Sequence, residues 1–312
     1  MPLGIGAGGL MGIALEVTPG TYVAPTKYVP FLSESMHMVE DSQVRRPIRQ
    51  SASAIGIVAG NEHPEGDIEM EALEDIIPYF LYCGRTAVVK SGAVNFTYTV
   101  TGNSTNLAIP TKTMSITIVR SDQVFGYTGC TVGSFKFSIN NGILNFGVSI
   151  VARQEATQSA PTATWPTTVP FGMGQYTIEI PTGVTVTDTD TFEWTTEDNA
   201  EAKFRLKSTG RGADFVNFGE RDVTWTMSRD FLTRADYDLF KSVTSQSIQL
   251  TASKGVNNNI VLLTPVSFKE TYEVGLSGQG DLNMASIGYR ATIDGTGKDY
   301  QIIVKTQEDI TP

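Results

Sequence analysis

The chain has 312 residues and a formal net charge of −10, with 40% hydrophobic and 18% charged residues. That is too apolar for a wholly disordered chain, and it lacks the basic stripe of a protein that grips nucleic acid. A low charged share alongside abundant Thr, Ser, Asn and Gly suits strands and turns rather than surface helices, and the length fits one large β fold or two modest ones.

The first dozen residues, with Gly4, Gly6, Gly8, Gly9 and Gly12, lack the basic region of a secretory leader. They read either as an arm that orders against a partner or as a frayed tail. No window reaches the ~18 apolar residues of a membrane span. Residues 36–65 show no clean period of either kind and read as a long irregular loop, the kind of segment that is usually functional or disordered. The densest basic stretch, Arg45, Arg46 and Arg49, stands alone within it. Residues 66–72 then alternate strictly, with Asp67, Glu69 and Glu71 on one face and Ile68, Met70 and Ala72 on the other, which predicts a half-buried strand. A helix is predicted over 73–83, closed by Gly84 at its C′ position, with Pro78 opposing a long regular one. Strands follow at 95–101, 114–119 and 134–139. Asn140, Asn141 and Gly142 turn the chain into a strand at 144–151, predicting a hairpin. Residues 154–170 have a linker composition. A second helix is predicted over 232–243, with Thr233 as its cap and Leu239 and Phe240 facing the core. Cys83 and Cys130 permit at most one bridge and are read as buried free thiols.

The two sides of the linker echo each other. Val29-Pro30-Phe31 recurs as Val169-Pro170-Phe171, and Asp67-Ile68 as Asp222-Val223. Ser134-Phe135-Lys136 recurs as Ser267-Phe268-Lys269, and Leu144-Asn145-Phe146 as Leu282-Asn283-Met284. Four echoes in one order predict a duplication, with domains at 1–157 and 165–312 and a linker at 158–164. The competing reading is a single β-rich chain with coincidental echoes. The halves differ in surface: opposite the acidic face at 67–71, the second half shows Thr224, Thr226 and Ser228, with Val223, Trp225 and Met227 inside.

Spacings that carry chemistry are missing. His37 and His63 have no patterned partners for a metal or a triad. The glycines at 4–9 lack the preceding strand of a dinucleotide fingerprint. Asp188 and Asp190 lack the glycine and terminal glutamate of an EF-hand loop. Asp67, Glu69 and Glu71 lie about 7 Å apart along one strand face, a spacing an acid/base pair would accept, but a solvated acidic face explains them more simply. A carbohydrate-processing enzyme would need aromatic platforms, whereas Trp165, Trp194 and Trp225 are spread singly. No catalytic residue, metal or cofactor is expected.

The stretch from Glu16 through Pro19, Gly20, Thr21 and Tyr22, then Val29-Pro30-Phe31-Leu32-Ser33-Glu34-Ser35, resembles the tail tube proteins of long-tailed siphophages. So do Gly66-Asp67-Ile68-Glu69-Met70-Glu71 and the helix ending in Leu81-Tyr82-Cys83-Gly84. The match covers residues 13–84; the turn is inverted, with Pro19-Gly20-Thr21-Tyr22 in place of a Tyr-Gly-Thr order. The resemblance implies a mainly β fold of duplicated tail-tube β-sandwich domains, each with a short flanking helix, closing into a ring-shaped β-barrel on oligomerisation. It implies a structural virion protein, assembled in the host cytoplasm, that forms the stacked rings through which DNA is ejected. With two domains per chain, three copies would make a pseudo-hexameric ring; a six-subunit ring with the second half as outer decoration is the alternative. Further implied partners are a tape measure protein in the lumen before ejection, phage DNA in transit without specific binding, and tail terminator and distal tail proteins at the ends. The lumen-lining candidates are Asp67, Glu69, Glu71, Lys136, Ser138, Thr224, Thr226 and Lys269. The candidates for contacts between stacked rings are Val44, Arg45, Arg46, Arg49, Ile55 and Ile57. The competing assignment is another virion or surface β-sandwich, a capsid decoration protein or an immunoglobulin-like adhesin.

Overall fold

A computed structural model describes residues 8–48, 53–103, 112–206, 210–231, 234–275 and 283–310. Its first half runs through β1 (Leu10–Leu15), β2 (Lys27–Tyr28), β3 (Ser33–Glu34), β4 (His37–Glu40), β5 (Gln43–Arg45), β6 (Gly56–Val58) and β7 (Glu62–Glu71). After helix α1 (Ile77–Tyr82) come β8 (Ala87–Ser91), β9 (Phe96–Asn103), β10 (Met114–Arg120), β11 (Gln123–Asn140), β12 (Ile143–Val151) and β13 (Gln154–Thr157). On β7 the two-residue period holds: Ile68 and Met70 are buried, while Asp67 and Glu69 are exposed. β7 pairs with β12, Ile68 opposite Val148, and β12 pairs with the second part of β11, Val148 opposite Phe135. The β11–β12 turn is Asn141-Gly142, with φ of 50° and 76°, the left-handed pair that a two-residue hairpin of this hand requires. The first part of β11 pairs instead with β10 and β13. β10 pairs with β1, and β1 with β2. β3 and β4 lie along the remaining edge of β7.

The second half runs through β14 (Tyr176–Glu179), β15 (Thr185–Val186), β16 (Thr189–Glu197), β17 (Ala200–Lys203), β18 (Phe215–Phe218) and β19 (Asp222–Asp230). Helix α2 (Ala235–Lys241), β20 (Gln246–Ser253), β21 (Asn259–Val274), β22 (Met284–Ala291) and β23 (Lys298–Thr306) follow. β19 pairs with β22 and β22 with the second part of β21. The first part of β21 pairs with β20 and β23. β20 pairs with β14, and β14 with β15. β16 lies along the edge of β19, and the β17–β18 hairpin sits between those two strands in sequence, as the β5–β6 hairpin sits between β4 and β7.

Among the described residues two strand ladders connect the halves, beside an isolated bridge between Glu62 and Gly212. In the inner layer β11 pairs with β16, from Ser134 opposite Glu197 to Ile139 opposite Phe192. In the outer layer β9 pairs with β23. The inner layer is therefore continuous in the order β7-β12-β11-β16-β19-β22-β21. One hydrophobic core lies behind it, joining Phe135, Phe137 and Phe146 of the first half to Trp194, Trp225 and Tyr289 of the second. The layers are keyed together by Trp194 against Tyr300, with ring centroids 5.3 Å apart, and by Trp225 Nε1, which donates to Thr264 Oγ1 at 2.6 Å. Cys83 and Cys130 are buried free thiols, and burial pushes both pKa values well up.

Buried charge reinforces these contacts. Arg221 donates to Asp198 Oδ1 at 2.6 Å, to Asp299 Oδ2 at 3.3 Å and to the Arg85 carbonyl, while Arg85 donates to the Gly219 carbonyl at 2.7 Å. Burial raises the Asp198 carboxyl above its ordinary range, with Arg221 and Arg85 opposing. Burial works against the Arg221 charge too, but Tyr300, Asp198 and Asp299 outweigh it and raise its pKa. The buried Glu74 accepts from Lys254 Nζ at 2.7 Å and Asn258 Nδ2 at 2.6 Å, tying the β20–β21 turn to the first half.

Three sequence expectations are corrected. The described residues of 36–65 are not irregular: they form β4, the β5–β6 hairpin and the start of β7. Their strands are short and exposed on both faces, so no burial period marks them. The first helix is shorter than 73–83, because Pro78 fits only its opening turn. The second helix buries none of its residues: Leu239 and Phe240 are half-buried, and Phe240 stacks on Tyr272 at 6.2 Å. Leu232, Thr233 and Leu282 lie outside the described residues.

Candidate functional site

The inner layer has one apolar and one polar face, since alternate side chains on each strand point opposite ways. Reading straight across the strands, one row on the polar side is Asp67, Ser149, Ser134, Glu197, Asp222. The next is Glu69, Gly147, Lys136, Thr195, Thr224, Arg290, and a third is Glu71, Asn145, Ser138, Glu193, Thr226, Gly288. No apolar side chain interrupts these rows. Where Gly147 presents no side chain, Glu69, Lys136, Glu193 and Thr226 surround a shallow cleft of about 410 Å³.

Seven of the eight residues singled out as lining candidates share this face: Asp67, Glu69, Glu71, Lys136, Ser138, Thr224 and Thr226. Lys269 does not. It pairs opposite Tyr289 on the core side, is buried, and donates to Asp236 Oδ1 at 2.6 Å; burial pulls its pKa down, with Asp236 opposing. The cause is a displaced register irregularity. On β11 it falls between Val132 and Ser134, ahead of Ser134-Phe135-Lys136; on β21 it falls between Lys269 and Thr271, after Ser267-Phe268-Lys269. A one-residue slip sends every side chain to the opposite face, so Phe135 is core and Lys136 polar-facing, whereas Lys269 is core.

Sequence reasoning missed Glu193, Glu197, Asp222 and Arg290 on this face. The alternation of Thr191, Glu193, Thr195 and Glu197 with Phe192, Trp194 and Thr196 was the available signal. Charge on the face is uneven. Lys136 pairs with Glu193 at 2.7 Å, and Arg290 contacts Asp222 and, at 3.1 Å, Glu270. Among the described residues no ion pair neutralises Asp67, Glu69 or Glu71.

The β5–β6 hairpin leaves the sheet at the Glu62 end of β7 and projects as an arm. Val44 sits directly opposite Ile57, 50% and 69% exposed, and Ile48, beyond the end of β5, is fully exposed. Arg45 and Arg46 are exposed, with no ion-pair partner among the described residues. Ile55 is half-buried, its N–H donating to the Arg45 carbonyl at 3.1 Å. Arg49 lies outside the described residues. At the root, Arg211 bridges the two sides of the stem: it donates to Glu40 Oε1 at 2.6 Å and contacts Glu62. The second half thus braces the arm of the first, a role that no sequence spacing signals.

Among the described residues no group of His, Cys, Asp and Glu is arranged to hold a metal ion, and no helix is long and apolar enough to cross a membrane. A comparison with curated proteins found no match. A comparison with protein-family models found one match, the model described as phage tail tube protein, over residues 6–301.

Proposed function

The chain belongs to the phage tail tube protein family, a structural component of the virion tail that self-assembles into the tube, and from that premise we propose that it forms stacked rings whose bore conducts DNA in a long-tailed siphophage. The observation that carries this reading is the inner layer: its polar face runs unbroken across both halves, and its other face is core. DNA carries dense negative charge, so a neutral and acidic bore lets it slide without adhesion. Asp67, Glu69, Glu71, Lys136, Ser138, Thr224 and Thr226 line that bore in this reading. A tape measure protein occupies it before ejection, and terminator and distal tail proteins cap the ends.

The halves are proposed to be duplicated tube domains, at 1–157 and 165–312. Identical pairing orders support this: β7-β12-β11 and β19-β22-β21 in the inner layer, and β2-β1-β10-β11 and β15-β14-β20-β21 outside. Three copies then supply six tube units. The β11–β16 joint is the template for the contact between copies, which would set the free edge of β21 against β3 and β4 of a neighbour. Participation of β16 and β19 in the inner layer supports this over a six-subunit ring with the second half as decoration.

The symmetry of assembled tubes tests it. Electron microscopy of cross-sections should give hollow rings with threefold symmetry, and strict sixfold density with six identical inner units would refute the three-subunit ring. A second expectation concerns the lining. Changing Asp67, Glu69 and Glu71 together to lysine should leave tubes intact but slow DNA ejection in low salt, with the rate recovering as salt rises. Ejection at the wild-type rate in low salt would remove these residues from the bore.

A further inference from the structure

The arm and an apolar cleft lie at opposite ends of the inner layer. The arm leaves at Glu62, and along β7 the far end is Glu71, level with Ser138 and Glu193, roughly 30 Å away at the strand rise. Just beyond that level, Ile139 pairs with Phe192. Here, between the end of the β11–β16 joint and the β14–β15 hairpin, lies a cleft of about 320 Å³ lined by Ile139, Met173, Ile178, Val186 and Phe192 together with five threonines, with Asp190 beside them. Met173, at its rim, is 80% exposed. Asp190 is exposed and has no ion-pair partner among the described residues.

We infer that this cleft is the receptor for the arm of a second copy of the chain in the adjacent ring, an assignment that rests on the stacking reading above. A filament built head-to-tail joins two different surfaces of the same molecule. What projects from one end must be received at the other. The arm offers the apolar cross-strand pair Val44 and Ile57, and in Arg45 and Arg46 two cations with no ion-pair partner among the described residues. The cleft offers the partly exposed Met173 and Val186 and, in Asp190, a carboxylate with no ion-pair partner among the described residues. Seating Val44 and Ile57 against Met173 and Val186 removes apolar surface from water on both partners, and brings Asp190 within reach of the arginines, which sets orientation more than affinity.

The experiment compares assembly of full-length variants by electron microscopy and sedimentation, with thermal melts confirming that each is folded. Val44→Asp with Ile57→Asp should stop at single rings, and so should Met173→Asp. Asp190→Arg should shorten tubes severely, and adding Arg45→Asp and Arg46→Asp should restore their length. Ile57→Cys with Met173→Cys in one chain should give disulfide-linked ladders under mild oxidation in tubes and none in isolated rings. If the cleft variants grow tubes like wild type and no ladder forms while the arm variant stops at rings, the arm docks elsewhere and this assignment is wrong. If the arm variant also grows normal tubes, the stacking role of the arm itself falls.

Discussion

Replacing Arg221 with alanine is expected to lower the unfolding free energy by about 3–5 kcal/mol, read as a fall in urea midpoint at unchanged m value. The side chain is buried between both halves, and three acceptors depend on it: Asp198, Asp299 and the Arg85 carbonyl. Removing it strands the Asp198 carboxylate in the interior, with Arg85 at 3.9 Å the one cation left beside it among the described residues. That carboxyl is already raised by burial, so the uncompensated charge sets the cost. Arg221→Lys separates charge from geometry. A single ammonium keeps the charge but lacks the fork that reaches two carboxylates and a carbonyl together, so its loss should fall between wild type and alanine. A change within ~0.5 kcal/mol for alanine, the range of an ordinary surface substitution, would mean that the network does not hold the halves.

Glu16→Ala is expected to cost about 4 kcal/mol, since four donors lose their acceptor at ~1–3 kcal/mol each and relaxation recovers part. Glu16 Oε2 accepts from Gly20 N at 2.6 Å and from the Thr113 hydroxyl; Oε1 accepts from Ser115 Oγ and Gly129 N, both at 2.8 Å. One carboxylate thus pins the turn after β1 to β10 and β11. Glu16→Gln is the sharper variant. Whichever way the amide is turned, its NH₂ faces one backbone N–H, either that of Gly20 or that of Gly129. Hydroxyls can rotate away; a backbone amide cannot. Facing the half-buried Gly20 N rather than the buried Gly129 N is the cheaper choice, so the amide variant should lose about 1 kcal/mol, the low end for one orphaned donor. Urea melts giving Gln equal to Glu would show that the carboxylate is not needed as a double acceptor.

Elements with one wet and one dry face were legible from sequence. β7, β9 and β12 alternate cleanly, and on β7 the sequence separates the wet face from the dry one as the structure has them. β11 was read only in its second part, because residues 126–133 are buried without interruption as the strand passes between layers; a strand covered on both sides has no period to read. The arm was invisible for the opposite reason, being exposed on both faces. Lys269 misled because an echo preserves residue types but not the position of a bulge. Glu16 was noticed as part of a resemblance, but its role depends on Thr113, Ser115 and Gly129, about a hundred positions away. Arg221 and Arg211 were missed on the same grounds: their partners are assembled by the β11–β16 joint and by β17–β18, and local sequence carries no trace of either.

The β9–β23 pairing sets a timetable. Tyr98 donates to the Glu308 carbonyl and accepts from the Ile310 N–H, contacts separated by 210 and 212 residues. At ~5–20 residues per second, a ribosome needs roughly 10–40 s to travel that distance. For that interval β8 and β9 have no neighbour on the side that β23 will cover, and their strand edge is open to any other nascent chain. The first half therefore cannot finish before the second has been made, and on a translating polysome several such open edges wait side by side, each a site for mispairing with another copy.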